Sequence, residues 1–542
     1  MMSHPAILAS LLLALSTLIA LRYAPLQWAE RAARLLRHRR TPWLLGALTA
    51  LAFWWVAGAT LDVEPISTDE ASYLLQAEIF AAGRVTAPGA PIQEFFEQAW
   101  VIVSPRIYSK YPPGHALALA PGVAVGLPWL VPLVLNLVSG ALLFGLLRRA
   151  IGPSAALLTW SAWVLSGMAM AWQTTYFSEV TLLACWLGGA SCTWRWVDGG
   201  RARWLVGAAL LIGYGAVTRP LSILLLALPL LVAVVAYALR HPGRWTDVVR
   251  AAAAGSALLL LLPAWNLATT GDVARSPLRE YTETYLPWDR LGFAVESTAA
   301  LRPTPPDLQA IAPQLVRIHR EHTVAALPGT MVERASRIRD LTFTGWRVLL
   351  LVLALIGIWR LRGPGWVVVA SVMSQFLGHA IWAHQAGWTL YYAESAAGWF
   401  VPGAVGVAAV IAFIAQRARG SEQGEGRSEL AVLLAVPWLL LLSVQESAGY
   451  RQWRSGRAGE SRGLVEFVRT GPDHAIYFIR PAPEGPARPG LVRNHPFLDP
   501  ARAWIVYDLG PRNAELLRIA PERQGFLVDP AARRVTPIAP PP

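Results

Sequence analysis

Residues 61–115, LDVEPISTDEASYLLQAEIFAAGRVTAPGAPIQEFFEQAWVIVSPRIYSKYPPGH, form the longest early break in a mostly apolar chain. The stretch carries two adjacent carboxylates, Asp69 and Glu70, soon after a hydrophobic segment, and it ends in Lys110-Tyr111-Pro112-Pro113-Gly114-His115. Long apolar runs lie on both sides of it, as expected of membrane-spanning helices on either side of a polar loop. We therefore expect the chemistry of this protein at the mouth of that loop.

The composition is too apolar for an ordinary soluble protein, since 54% of the 542 residues are hydrophobic and 15% are charged. The net charge of +13 does not indicate a nucleic-acid partner, because the arginines cluster in short links between apolar runs. Cys185 and Cys192 lie in one apolar run. A helix would separate them by about 10 Å, which is too far for a disulfide.

The arginines predict how the apolar runs are oriented. The first run, 6–21, lacks a basic n-region and a cleavage motif, so we expect an anchor helix rather than a signal peptide. Six arginines follow this run, which predicts that the link after it is cytoplasmic. The next span then places 61–115 outside, and the alternation of later spans places 269–344 outside as well. We predict about twelve spans: 6–21, 42–60, one crossing within 115–147 after a partial re-entrant helix, 154–172, 180–196, 204–217, 221–239, 248–267, 346–359, 366–383, 391–415 and 430–444.

The composition changes to that of a soluble module after Gln445. We predict an all-α polytopic membrane domain at 1–447, which includes the two outer loops, and a small extracytoplasmic α/β domain at 448–542. The cytoplasmic links are short and no Gly-rich phosphate loop is present, so a nucleotide-using active site is not expected. The predicted elements of the small domain are strands at 475–479 and 503–507 and helices at 463–469 and 513–519.

Ser67-Thr68-Asp69-Glu70 fits a capping box for a helix that runs to Ala82 and stops at Gly83. If Ser67 is the N-cap residue, the Glu70 side chain accepts a hydrogen bond from the backbone, and Asp69 takes no part in the capping box. A plain helix cap and a catalytic carboxylate both remain open. We rank Asp69 above Glu70 as a general base, which must lie close to the attacking hydroxyl. One face of the helix is apolar, so we expect it to lie along the membrane surface.

The end of the loop, from Tyr108 to His115, also has two interpretations. It is either a rigid Pro-Pro entry into the next helix, flanked by interfacial tyrosines, or a phosphate site. In the second case Lys110, with Arg106 or His115, donates to the phosphate.

Two further candidates flank an apolar hairpin. Glu179 follows Ser178 where a helix turns at the predicted outer face, either as a cap or as a further carboxylate on the side of Asp69. Arg219 interrupts the hairpin on the side where the positive-inside rule does not expect a base. It either clamps an anionic lipid head group or pairs with Glu179.

Tyr391, Tyr392 and Glu394 lie at another predicted outer junction. Tyrosines there are usually membrane-interface residues. Glu394, which turns into an apolar run, is harder to explain in that way and stays a candidate.

With this layout the chain resembles the GT-C membrane glycosyltransferases, the group of the lipid A aminoarabinose transferases and the protein O-mannosyltransferases (family 39-like). In the aminoarabinose transferases lysine directly precedes the Pro-Pro pair, whereas here Tyr111 stands between Lys110 and Pro112. The resemblance rests on Asp69-Glu70 after an exiting span, Tyr111-Pro112-Pro113-Gly114, Thr218-Arg219-Pro220, Tyr391-Tyr392-Ala393-Glu394, Asn494-His495-Pro496 and Asp508-Leu509-Gly510-Pro511-Arg512-Asn513.

The resemblance implies a glycosyltransferase with a polyprenyl-phosphate-linked sugar donor and an acceptor hydroxyl on a lipid, glycan or protein. Asp69 matches the first-loop acid that assists the acceptor. Some GT-C enzymes use a divalent metal, which Asp69 with Glu179 could hold; no other cofactor is implied. We expect a multi-pass protein of a bacterial inner (plasma) membrane with an extracytoplasmic active site. The candidate residues are Asp69, Glu70 and Glu179 for catalysis and Lys110, Arg106, His115, Arg219, Tyr391, Tyr392 and Glu394 for the donor phosphate and lipid.

Two other functions remain as alternatives. A polymerase or ligase that handles lipid-linked glycans would share the same architecture. A transporter or flippase usually shows inverted repeats and midplane ionisable residues. Here the charges lie at the predicted outer mouth and no repeat is apparent.

Overall fold

The computed structural model describes residues 4–58, 65–296, 299–309, 311–480, 490–529 and 534–539, without the side chains of 421, 422, 457–465 and 469. Residues 61–64 of the first predicted loop, with Asp62 and Glu64, lie outside these ranges.

The first half of the chain folds into helices that follow the predicted apolar runs. Several are uninterrupted, whereas the predicted span 154–172 is two helices that meet at a bend of 62°. The helices are α1 (His4–Leu18), α2 (Leu26–Arg37), α3 (Thr41–Ala57), α4 (Thr68–Ala81), α5 (Gln93–Phe96), α6 (Gly114–Ala124), α7 (Leu130–Ile151), α8 (Pro153–Val164), α9 (Gly167–Gln173), α10 (Glu179–Gly199), α11 (Ala202–Ala216), α12 (Pro220–Arg240), α13 (Trp245–Leu259) and α14 (Leu261–Thr270).

The second half adds a helical segment of the long predicted loop, further apolar helices and one very long helix. A 3-10 segment, Thr389–Phe400, leads directly into one of the apolar helices. The helices are α15 (Pro277–Tyr285), α16 (Pro306–Gln309), α17 (Ala312–Glu321), α18 (Leu327–Thr342), α19 (Val348–Arg360), α20 (Gly363–Gly378), α21 (Val401–Arg419), α22 (Ser421–Thr470) and α23 (Asn513–Ile519).

Among the described residues, seven helices are long and apolar enough to cross a membrane, or eight if the bent pair α8–α9 counts as one span. This makes the chain an integral membrane protein, while the count of twelve spans stays a prediction. Helix α6 has 11 residues and is about 16 Å long, half the thickness of the hydrocarbon core. It is therefore too short to cross, in keeping with the partial helix expected before α7.

Glycines allow close helix crossings. A Cβ on Gly357 of α19 would lie 1.6 Å from the carbonyl oxygen of Pro402, and one on Gly406 of α21 would lie 2.1 Å from that of Leu353. Such contacts leave no room for a side chain, so backbone packs directly on backbone as small residues permit in membrane helices. A large apolar cluster that includes Trp160, with α8 and α21 among its elements, fills the centre of the bundle.

The polar segments pack against one another, and we call the described residues within 65–115, 271–344 and 471–539 the loop assembly. Its first part holds an antiparallel sheet of order β1 (Ala87–Pro88), β3 (Arg106–Ser109), β2 (Val101–Ile102). Its last part holds a four-stranded sheet of order β5 (Ala503–Tyr507), β4 (Ala475–Ile479), β6 (Gln524–Asp529), β7 (Arg534–Pro537), which is parallel except for the β6–β7 pair.

These two parts of the loop assembly share one apolar core. Leu75 and Ile79 of α4 and Phe95 of the first loop belong to the same buried cluster as Ile476 and Phe478 of β4. The C-terminal sheet therefore packs on the first loop and supports it.

Two expectations about helices are wrong. Helix α4 does not have the solvated polar face expected of a surface helix, because that side is covered by protein: the Ser72 hydroxyl donates to the Trp100 carbonyl at 2.9 Å and the Gln76 amide to the Val85 carbonyl at 3.0 Å. The predicted helix 463–469 is not a separate element but the end of α22, which runs without a break through residue 447. The two predicted strands and the helix 513–519 have the expected bounds.

Candidate active site

Asp69 lies in the first turn of α4, whose start is fixed by a complete capping box between Ser67 and Glu70. Its side chain is half-buried, and the Tyr111 hydroxyl donates a hydrogen bond to Oδ1. Among the residues that the structure describes, Oδ2 accepts no hydrogen bond. The carboxylate is therefore held in one orientation and keeps one oxygen available for a substrate proton.

Glu70 points the other way and is 1% exposed. Its Oε2 accepts from the backbone N–H groups of Ile66 at 2.7 Å and Ser67 at 3.1 Å, and Oε1 accepts from that of Tyr176 at 3.0 Å. Burial raises the pKa of Glu70, while the Arg454 guanidinium and the three N–H groups oppose that rise. These contacts favour a structural role, in which Glu70 closes the start of α4.

Lys110 is the only lysine in the sequence, in which arginine supplies the other 46 of 47 basic residues. It is 6% exposed, and its Nζ lies 3.6 Å from the centre of the Trp100 ring, 5.1 Å from Tyr111 and 5.3 Å from Tyr281. Within the described ranges this ammonium forms no ion pair and no hydrogen bond. Burial lowers the pKa of Lys110, an effect that the carboxylates of Asp289 and Asp69 oppose.

Trp100 holds an unusual backbone conformation for a residue with a side chain, with φ of 69°. This left-handed region costs about 1–2 kcal/mol outside glycine, so the surrounding contacts must hold it. Its backbone N–H donates to the Tyr281 hydroxyl at 3.1 Å and its indole N–H to the Thr68 hydroxyl at 2.9 Å. Its carbonyl accepts from the Ser72 hydroxyl at 2.9 Å and from the backbone N–H of Lys110 at 3.0 Å. We call Asp69, Trp100, Lys110 and Tyr111 the loop half of the site.

Arg219, 14% exposed, is at the centre of a second group, the helix half, which comprises Glu179, Arg219, Gln375 and Glu394. Its Nη1 lies 2.7 Å from Glu179 Oε1, and its Nε lies 3.3 Å from Glu394 Oε1. The Gln375 amide donates to Glu394 Oε2 at 2.8 Å. Arg219 therefore pairs with Glu179, as one reading of the sequence predicts, and also with Glu394.

Two side chains connect the halves. The Tyr73 ring stacks on Tyr111 with centres 4.6 Å apart, and the Tyr73 hydroxyl lies 3.0 Å from the Ser178 hydroxyl. Ser178 in turn accepts a hydrogen bond from Arg219 at 3.2 Å. A continuous chain of contacts thus runs from Asp69 to Arg219, and the two halves form one site.

The remaining sequence candidates divide into near and far residues. Tyr391 lies in the site, since its ring is 5.9 Å from the Arg219 guanidinium and its hydroxyl accepts from Trp382 at 3.1 Å. His115 is buried beside the site, 2.8 Å from the Thr181 hydroxyl and 2.7 Å from the Tyr176 carbonyl.

Arg106 and Tyr392 are directed elsewhere. Arg106 is exposed and donates to the Ala268 carbonyl at 3.1 Å. The Tyr392 hydroxyl lies 3.1 Å from His384 Nε2 in a buried pair. Neither side chain forms a hydrogen bond, ion pair or ring contact with a member of the two halves named above.

Sequence reasoning misses Tyr73, Trp100 and Asp289. Tyr73 follows Asp69 by one helical turn, and this spacing is a usable signal because such residues share a helix face. Trp100 and Asp289 carry no comparable signal: the first depends on a non-glycine φ and the second lies in the long polar segment 269–344, far along the chain from Lys110.

Asp69 and Glu179 do not make a convincing metal site. The described part of the chain contains no group of three or more His, Cys, Asp or Glu side chains that could hold a metal ion. Glu179 is already engaged by Arg219 and Asp69 by Tyr111.

Comparisons with known proteins agree with the predicted resemblance. Residues 122–266 match a family model described as dolichyl-phosphate-mannose-protein mannosyltransferase, and no curated protein matches the chain significantly. ArnT from Cupriavidus metallidurans in the apo state is 16% identical with a TM-score of 0.52, covering 90% of this chain and 92% of that one. This likeness establishes a shared fold.

Two further structures are similar at lower scores. ArnT from Cupriavidus metallidurans bound to undecaprenyl phosphate is 14% identical with a TM-score of 0.46, over 91% of this chain and 94% of that one. Arabinosyltransferase EmbB from Mycobacterium smegmatis is 15% identical with a TM-score of 0.41, over 84% of this chain and 42% of that one. The resemblance to GT-C membrane glycosyltransferases is confirmed by the family match and by the fold shared with apo ArnT.

Proposed function

We propose that this protein transfers a sugar from a polyprenyl-phosphate carrier to an acceptor hydroxyl on the extracytoplasmic face of the membrane. One observation carries the proposal: an oriented carboxylate with an available oxygen, Asp69, lies near an unpaired buried ammonium, Lys110. A base for the acceptor and a cation for a leaving phosphate are the two groups that such a reaction needs.

The proposed step is an inverting displacement. Asp69 takes the proton from the acceptor hydroxyl, whose oxygen bonds to the anomeric carbon from the face opposite the phosphate. The bond between that carbon and the phosphate oxygen breaks, and its electron pair leaves with the polyprenyl phosphate. Lys110 donates hydrogen bonds to the phosphate and stabilises the charge it gains.

Arg219 is assigned a different role from Lys110. With Glu179 and Glu394 as partners, its charge is already compensated, so a phosphate would have to compete with two carboxylates. We assign the helix half to hold the shape of the site and Lys110 to be the phosphate ligand. The lipid donor class is supported by the family description for 122–266, a span that includes Glu179 and Arg219.

The test is transfer of labelled sugar by the purified protein in nanodiscs, with polyprenyl-phosphate sugars and nucleotide sugars offered separately. We expect transfer from the lipid donor alone. Robust transfer from a nucleotide sugar without lipid would overturn the proposal. Joining of preassembled lipid-linked glycans with no use of single lipid-linked sugars would favour a polymerase or ligase, and solute uptake into proteoliposomes that survives Asp69→Asn would favour a transporter.

A further inference from the structure

The indole of Trp100 and the ammonium of Lys110 form a contact whose purpose the proposed reaction does not by itself explain. A buried lysine usually finds a carboxylate, and two carboxylates, Asp69 and Asp289, are near enough to raise the pKa of Lys110. Yet Nζ lies over the Trp100 ring at 3.6 Å, with Tyr111 and Tyr281 at the sides. The chain holds its one ammonium on aromatic faces.

An aromatic partner leaves the charge and the N–H donors of a cation available to another group, whereas a carboxylate does not. A ring face attracts a cation through its quadrupole but carries no net charge. The three N–H donors of the ammonium are not used up by a carboxylate, and its full charge remains for an anion. By contrast, the guanidinium of Arg219 is compensated by Glu179 and Glu394.

Trp100 is held in place more firmly than a packing residue requires. Its backbone N–H and indole N–H donate to the hydroxyls of Tyr281 and Thr68, and its carbonyl accepts from the Ser72 hydroxyl and the backbone N–H of Lys110. These bonds maintain a φ of 69°, which a tryptophan rarely adopts. A strained backbone kept by many contacts is characteristic of a functional position.

We infer that Trp100 is a positioning residue that holds the Lys110 ammonium on its ring, away from Asp69 and Asp289, so that the ammonium is free to receive the donor phosphate. Without the ring, the ammonium falls onto a neighbouring carboxylate. The charge is then compensated before the donor arrives, as it is at Arg219. This inference rests on the proposed role of Lys110.

The first test uses the fact that the chain has one lysine. Protein labelled with ¹³C-lysine gives a single set of side-chain NMR signals in nanodiscs, and ring currents should shift the Lys110 ε-methylene upfield. We expect the upfield shift in the wild type, its retention in Trp100→Phe and its loss in Trp100→Leu. An unshifted wild-type signal would overturn the placement of the ammonium, whatever the protein catalyses.

The second test is kinetic. Loss of a cation–π contact corresponds to a rise of roughly 3- to 30-fold in donor KM for Trp100→Leu, with kcat changed much less. Trp100→Phe should recover most of the affinity because it keeps a ring face. Trp28→Leu, an exposed tryptophan on α2, is the matched control and should change neither constant.

The double variant Trp100→Leu/Asp289→Asn separates positioning from plain structural damage. If the ammonium falls onto Asp289 when the ring is removed, loss of that carboxylate restores donor affinity. An affinity that stays low in the double variant and in Trp100→Phe would contradict the inference. Should the protein bind undecaprenyl phosphate with the expected Lys110 signals but transfer no sugar, the proposed function would fail while the role of Trp100 stands.

Discussion

The two halves of the candidate site place positive charge in opposite ways. In the helix half, the Arg219 guanidinium lies 2.7 Å from one carboxylate and 3.3 Å from another. In the loop half, the Lys110 ammonium lies on the Trp100 ring and has no ion pair within the described residues. Within the two halves, one cation is thus compensated by carboxylates and the other is not.

This difference indicates two roles: Arg219 holds the structure of the site, and Lys110 is the proposed ligand of the phosphate. A buried ion pair is costly to break, since removal of one partner leaves the other charge without compensation. Arg219 therefore fastens the helices that carry Glu179 and Glu394. An uncompensated ammonium is unfavourable until an anion arrives, which is a reason to keep one only where an anion binds.

The largest expected effect lies in the loop half. Asp69→Asn removes the proton acceptor but keeps an oxygen for the Tyr111 hydroxyl, so we expect turnover to fall by about 10²- to 10⁴-fold with little change in stability. Sugar transfer and thermal unfolding measure the two quantities. Asp340→Asn, an exposed aspartate on α18, is the matched control. Turnover unchanged in Asp69→Asn would place the base elsewhere.

Arg219→Met should act on stability first. It leaves Glu179 and Glu394 buried without a counter-charge, and we expect the free energy of unfolding to fall by about 3–5 kcal/mol. Denaturation in detergent checks this, and adding Glu179→Gln and Glu394→Gln should restore most of the loss. A variant that is fully stable but weak in donor binding would reverse the assignment of the two cations.

Lys110→Met should act on the donor and leave the fold intact. Loss of a charged hydrogen bond to phosphate corresponds to a rise in donor KM of roughly 10- to 100-fold. Stability should not fall, because no ion pair within the described ranges depends on Lys110. Arg106→Met on the same loop, whose guanidinium contacts the Ala268 carbonyl, should leave KM nearly unchanged. Equal effects of the two variants would mean that the loop attracts phosphate only by its overall charge.

The smallest expected effect is a pH dependence confined to the loop half. Burial lowers the pKa of Lys110 below the usual 10.5, so the free enzyme loses this charge at a lower pH than an exposed lysine would. Donor KM should therefore rise with pH on the alkaline side, while the arginine at 219 stays charged. Lys110→Arg should abolish this alkaline rise in donor KM. A rise that persists in Lys110→Arg would show that another group causes the pH dependence.

The sequence predicts the longest apolar helices because a chain in lipid must satisfy its backbone hydrogen bonds within helices, whereas the count of twelve spans stays a prediction. It also predicts the capping box, since Ser67 and Glu70 act through local spacing. It does not predict that α4 is covered on its polar side. That depends on where Trp100 and Val85 arrive in three dimensions.

The site was predictable only in part, for the same reason. Asp69, Lys110, Glu179, Arg219 and Glu394 are charged groups in or next to apolar sequence, and charge in such places is conspicuous. Whether a given cation is paired or unpaired is a property of distant neighbours, such as Glu394 for Arg219. Local spacing carries no information about those neighbours.

Helix α22 also supplies a late partner for the start of α4. Arg454, which it carries, is buried and compensates Glu70 at the start of α4. Residues enter a nascent chain at about 5–20 per second, so Glu70 is made on the order of 20–80 s before its partner. During that interval the first loop lacks both its buried guanidinium and the sheet that supports it. The start of α4, which also carries Asp69, is thus synthesised long before the residues that complete its surroundings.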